Sequence, residues 1–449
     1  MEIVFNNTTL SYLFSIALAS SLVFSPHQLT LLGNGLGAVG PGFLFAILFG
    51  ILIHLATVKS YRDLLTEFPE PGGDIKGLEA WLGFRFASVV AICGKLPLAV
   101  FASTGLLVSA GFVFNEVFVY WFPNFTFAYL VLAVALGTNL FGKKAVKTGL
   151  VIAVGTAGLG LFVLTLAGFL KPANPGIVLW KTSQFDYRHL TAGITLLIGF
   201  DMALLGQDDL KENPLQCMKA ITVSIAACGV LLAVWGLAGL IHVPTAKLAS
   251  STIPHMVAAR TLLGQPGRIL MGVVVISGVF GAVTALLYAS RRLIGRLTKN
   301  SALIKDLKHI KIVEKGSLIL IAGATSLLMA CGMAGSPLLE VYIKGGLVLW
   351  LVLYAAIHGA AIYSLRRTNK LQTVHRVIKG IAVFAILFAA AGLILMAPEP
   401  VHMLMFLFAV PATVFLAMTV FTIYLNRNRQ LASKPIDTKL DPGLSHQRR

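Results

Sequence analysis

The chain has 449 residues, 57% of them hydrophobic and only 12% charged, with a formal net charge of +18 and a mean hydropathy of +0.84. Soluble globular proteins carry roughly 25% charged residues, so this composition leaves too little polar surface to cover a water-soluble fold. The apolar residues fall in blocks of about 20, the length that crosses a hydrocarbon core as α-helix, and the alternating segments of a β-barrel are absent.

Twelve spans are expected, at about 10–33, 41–60, 86–113, 124–141, 148–170, 189–206, 218–241, 268–289, 316–334, 343–364, 378–397 and 402–424. The first block has no basic region before it and is too long for a cleavable signal. The reading is one transmembrane unit over 1–425 and a polar cytoplasmic tail over 426–449. Cys93, Cys217, Cys228 and Cys331 show no metal spacing and read as small packing residues.

The basic residues set the orientation. With the N-terminus inside, 28 of the 36 Lys and Arg fall on inner connectors and the tail, and 7 fall outside. Both termini are therefore expected in the cytoplasm, in a multi-pass protein of the cell (plasma or inner) membrane. The same bias explains the net charge without a nucleic-acid partner, and contact of the basic inner loops with anionic lipid is a generic expectation. Oligomeric state leaves no signal in the chain.

Within the spans, charge is rare. Asp201, in span 6, is the one acidic residue placed inside an apolar block, and Lys95, in span 3 beside Gly94 and Pro97, is the one deep lysine. A charge there costs roughly 2.5–3.5 kcal/mol on insertion scales, so each is a functional candidate by default. Desolvation could make Asp201 a proton carrier. Lys95 could pair with Asp201, meet an acidic substrate group, replace a bound cation, or snorkel to the interface. His54 and His358 are titratable but more often pack or bond a helix. Ser277 and Thr284 are candidate sodium ligands or ordinary helix-bonding residues.

Three segments resemble the amino acid–polyamine–organocation permease superfamily. Ala19-Ser20-Ser21-Leu22-Val23-Phe24-Ser25-Pro26 resembles its unwound stretch in span 1, with Ala19 and Ser21 where the family has glycine. An alternative register puts the break at Ser25-Pro26-His27. Val39-Gly40-Pro41 and Phe68-Pro69-Glu70-Pro71-Gly72-Gly73 resemble its span 2 entry and the following turn. Gly199-Phe200-Asp201, followed by Gln207-Asp208-Asp209-Leu210-Lys211-Glu212-Asn213-Pro214, resembles its broken span 6 and cytoplasmic exit, one residue longer than the family spacing. Tyr288-Ala289-Ser290-Arg291-Arg292 fits the span 8 exit. Unlike some relatives, span 5 carries no lysine.

The resemblance implies an all-α, LeuT-like fold of two inverted five-helix repeats, spans 1–5 and 6–10, plus two extra helices. It implies a secondary transporter of amino acids or small amines. The backbone at Ala19, Ser20, Ser21 and Leu22 would hold a substrate carboxylate, and carbonyls there and near Ile198 and Gly199 an ammonium group. Phe200 would act as an aromatic gate, and Asp208, Asp209 and Lys211 as an inner gate, or else a solvated loop with weak ion pairs. Asp201 and Lys95, by their place within the spans, are the coupling candidates. Free helix ends in a membrane suit a zwitterion, since they offer partial charges of both signs. No cofactor is implied; the coupling ion is a proton, or sodium. Exchange of solutes and a transport-inactive sensor are the alternatives. No GxxxxGK[ST], HExxH or GxSxG pattern points to a nucleotide-driven pump or an intramembrane enzyme.

Overall fold

The computed structural model describes residues 7–174, 185–209, 214–300, 307–369 and 371–432. Among the described residues, ten helical stretches are long and apolar enough to cross a membrane, and Thr9–Ser20 and Asn124–Leu140 are shorter apolar helices. No strand occurs among the described residues. The fold class is thus all-α and polytopic, and the expected spans can be followed one by one.

Span 1 breaks where its sequence stops supporting a helix. α1 (Asn7–Ser20) ends, Ser21–Ser25 form turns, and α2 (Pro26–Val39) begins. Ser25 is extended and its hydroxyl accepts from the Gln28 N–H, while Pro26 opens the new helix. This is the capping pair that starts helices, a hydroxyl N-cap followed by proline at the first position. The break therefore takes in Ser21 and Leu22 of one sequence register and Ser25 of the other. Ala19 and Ser20 remain in the last turn of α1.

Span 2 is α3 (Phe43–Glu67), and span 3 is divided into α5 (Phe84–Cys93) and α6 (Leu96–Val117). The connector expected between them holds a further helix, α4 (Gly73–Leu82), entered through the left-handed Gly72. Ile75 and Leu78 are buried, so α4 is packed into the bundle against α3 and α15 rather than lying as a solvated loop. Spans 4 and 5 are α7 (Asn124–Leu140) and α8 (Lys143–Leu170).

Span 6 breaks as well. α9 (Tyr187–Thr195) leads through the turn at 196–199 into a 3₁₀ segment, Phe200–Asp209. Runs of 3₁₀ beyond three or four residues are uncommon and mark strain or a hinge. Gly199 has φ +99°, open to glycine at little cost. Beyond it come α10 (Pro214–His242), the short α11 (Thr245–Ser250) and α12 (Pro254–Leu263), α13 (Gln265–Asn300), α14 (Leu307–Ala330), α15 (Pro337–Arg367), α16 (Thr373–Leu395) and α17 (Pro400–Ala432). The last helix continues past the expected limit at 425 to Ala432.

The halves of the broken spans pair. α1 packs on the 3₁₀ segment, and α2 touches α9. A Cβ added to Gly199 would lie 2.6 Å from Leu22 Cδ1, so the two breaks meet. Polarity is inverted relative to a soluble protein. Asp201, Lys95, His54 and His358 are buried, while Phe45 and Leu52 of α3 and Phe384 of α16 are exposed. Cys93, Cys217 and Cys228 are buried as expected of packing residues; Cys331, at the end of α14, is exposed instead.

Candidate functional site

The sequence brings a charge pair to the meeting point of the breaks. Pro97 in the first turn of α6 interrupts span 3 at Gly94-Lys95. Gly94 has no side chain to keep α15 away: a Cβ there would come 2.8 Å from Leu353. This approach sets Trp350, Tyr354 and His358, spaced by four along one face of α15, against the interior. Lys95 Nζ reaches Asp201 Oδ2 as a buried ion pair, with the two side chains 6% and 1% exposed.

Asp201 accepts from more than Lys95. Trp350 Nε1 donates to Oδ1 at 3.0 Å, the Tyr354 hydroxyl donates to Oδ1 at 2.8 Å, and the Tyr61 hydroxyl donates to Oδ2 at 3.4 Å. The Gly199 N–H donates to the Tyr354 oxygen at 3.1 Å, tying the break itself to the carboxylate. Lys95 Nζ also lies 4.8 Å from the Trp350 ring centre, a cation–π contact. A buried charge pair is tolerated when geometry and added hydrogen bonds compensate desolvation, and here both oxygens of Asp201 are engaged by donors.

The other residues singled out from the sequence fall as follows. Phe200 is fully buried, stacked on Tyr354 with ring centres 5.1 Å apart and edge-on to His54 and Tyr61. It packs inside the protein and not against lipid. The hydroxyls of Ser20 and Ser21 donate to the Ile16 and Leu18 carbonyls of α1. His54 Nε2 bonds the Ile194 carbonyl at 2.7 Å, at the end of α9. Ser277 donates to Val273 O at 2.6 Å, an ordinary helix bond, and Thr284 Oγ1 is buried without a hydrogen-bond partner among the described residues. Of the expected gate, the backbone of Asp208 and Asp209 completes the 3₁₀ segment, and Lys211 lies outside the described residues.

Three groups went unmarked as site residues in the sequence, although Arg291 and Arg292 lie in the span 8 exit motif. Tyr61, Trp350 and Tyr354 carry no charge, so nothing in a hydropathy pattern marks them. Arg296 Nη2 donates to Leu204 O at 2.8 Å and Arg292 Nε to Leu205 O at 3.4 Å, so the end of α13 holds the carbonyls of the 3₁₀ segment. Glu314 of α14 pairs with Arg291 and Arg292 at 3.2 and 3.6 Å.

The third group is a second buried pair, Lys379 with Asp63 at 2.8 Å. Lys379 also donates to Ser60 Oγ at 2.7 Å. A lysine only donates, which leaves the Ser60 proton free for His358 Nδ1, 2.8 Å away. His358 then carries its proton on Nε2 and donates to Thr57 Oγ1 at 3.1 Å, and Thr57 donates to Ile53 O at 2.9 Å. The signal that would have found this pair is the spacing of Thr57, Ser60 and Asp63 along one side of α3.

No family model matches the sequence, and no curated protein matches it. Among solved structures, the chain is similar to a mutant of the Eremococcus coleocola manganese transporter, at 12% identity and a TM-score of 0.59, over 96% of this chain and 97% of that one. The likeness shows the fold alone: an all-α architecture shared with that protein over nearly the full length.

Proposed function

We propose that this chain is a secondary active transporter of amino acids or related small amines in the cell membrane, with both termini in the cytoplasm. It works by alternating access and is coupled to protons through Asp201 and Lys95. One observation carries the reading: the buried Asp201–Lys95 pair at the meeting of two broken spans.

Broken helices within a membrane leave unpaired backbone groups, tolerable only beside protein, a cavity or a ligand. Such ends can take a substrate's carboxylate and ammonium, at Ser21 and Leu22 on one side and Ile198, Gly199 and Phe200 on the other. Asp201 then acts as a shared seat. A proton arriving at Oδ2 forms an O–H bond there and releases the Lys95 ammonium from its partner. A substrate ammonium reaching the same carboxylate must also displace Lys95. Competition among three cations for one carboxylate couples proton movement to substrate movement. Exchange of one amine for another uses the same seat without net proton flow.

Manganese, named for the structural neighbour, is less well supported here. Carboxylates and carbonyls suit that ion, but among the described residues no three His, Cys, Asp or Glu side chains converge. Uptake of a mixed panel of radiolabelled amino acids and amines, with manganese alongside, into proteoliposomes tests the reading. Saturable uptake of an amine or amino acid supports it; uptake of manganese alone overturns the substrate assignment.

A further inference from the structure

His255 is a buried titratable side chain far along the chain from the central site, and the transport reading gives it no role. It is the second residue of α12 and 2% exposed. Among the described residues neither ring nitrogen has a hydrogen-bond partner. Buried polar atoms are rarely left so, and each case calls for an explanation. The ring lines a cavity of about 20 Å³ with Trp235, Leu32, Gly33 and Leu248, room for about one water. One water can meet a neutral nitrogen but cannot solvate an imidazolium.

The surroundings also disfavour charge. α12 packs on α2, α8, α10, α11 and α13, and none of these six helices contains an Asp or Glu. The charged and titratable groups that these helices carry at or beside this end are His27, Lys171, His242, Lys247, Arg260 and Arg268, and beyond them Glu340 and Lys344 of α15 act on His27. His27, Lys247 and Arg260 are exposed. Lys171 donates to the Thr261 and Leu262 carbonyls, His242 bonds Gly168 O, and Arg268 donates to Glu116 O. None of them bonds His255. The first turn of a helix is moreover its positive end.

The segment that His255 anchors is fastened to α2, one half of broken span 1. Thr30 donates to Thr252 O at 3.4 Å. With its amide nitrogen turned toward them, Asn34 donates to Leu248 O at 2.9 Å and Ser251 O at 3.0 Å. A Cβ on Gly37 would strike the Ala249 backbone at 2.2 Å.

We infer that His255 is a proton-operated latch: protonation of its ring releases the α11–α12 segment from α2 and α10. Burial lowers its pKa from 6.5 to about 4. The docked state thus prefers the neutral ring. Its stability is full above pH 6.5, the value of a solvated ring, and falls as pH drops from there toward 4. At pH 5.5 the released state is favoured about ten-fold more than at pH 7.5.

Hydrogen–deuterium exchange of the purified full chain reads this without transport. After correction for the intrinsic pH dependence of exchange, α11–α12 amides of the wild type should exchange about ten-fold faster at pH 5.5 than at pH 7.5. In His255→Phe and His255→Gln the two rates should agree. The same acceleration in a folded variant, or none in the wild type, overturns the latch; the Gln variant serves if the Phe variant does not fold.

Discussion

Trp350 and Asp201 are joined by the indole nitrogen, which donates to Oδ1 at 3.0 Å, while the same ring faces Lys95 Nζ at 4.8 Å. One aromatic side chain thus contacts both members of the buried pair. It holds the carboxylate through its edge and the ammonium through its face.

That arrangement makes the two charges interdependent. Lys95→Met and Asp201→Asn should each destabilise the protein by about 3–5 kcal/mol, because each strands the opposite charge in the interior. The double variant should recover up to about 3 kcal/mol relative to the sum of the single changes. Thermal unfolding of the four proteins in detergent measures the coupling; strictly additive losses would mean that the pair does not form.

The second pair predicts an asymmetry. The Lys379 side chain is 2% exposed and the Asp63 side chain 20%. Asp63→Asn leaves an ammonium with no route to water, whereas Lys379→Met leaves a carboxylate that water can reach. The first should lower the melting temperature more than the second. Equal shifts would contradict the unequal burial.

Gly199→Ala should damage both fold and function. A non-glycine residue in a left-handed conformation costs roughly 1–2 kcal/mol, and its Cβ would also press on Leu22 Cδ1 at 2.6 Å. A lower melting temperature with loss of uptake is expected. Wild-type uptake by the variant would show that the meeting of the breaks can shift without consequence.

Arg296 offers a test of the inner half of span 6. It donates to Leu204 O, and the buried Cys217 thiol lies 3.6 Å from Ala203 O in the same segment. In a Cys331→Ser background, Arg296→Ala should speed Cys217 labelling by a soluble maleimide about ten-fold or more, since an arginine–carbonyl bond is worth about 1.5–3 kcal/mol. Unchanged labelling would remove Arg296 from control of that segment.

Much of this architecture can be read in the chain. Apolar block length gives the spans, and Asp201 and Lys95 announce themselves because charge inside an apolar block is rare. Gly199 and Ser25-Pro26 mark the breaks, since one residue opens left-handed space and the other two start a helix. The aromatic donors do not announce themselves, because tyrosine and tryptophan are common in spans for packing alone. Asp63 and Lys379 look like connector charges near span ends, and only the packing of α16 on α3 buries them together. Likewise α4 and α12 are too short for a span pattern, and tertiary packing decides that they are helices.

The measurement that bears most directly on the coupling claim is uptake of a transported amine into proteoliposomes, with and without an outward proton gradient (acid inside), by the wild type and by Asp201→Asn. The account predicts uptake that the gradient stimulates in the wild type, and loss of that stimulation in a folded Asp201→Asn protein. Equal stimulation in both proteins would contradict it and remove Asp201 from the coupling step.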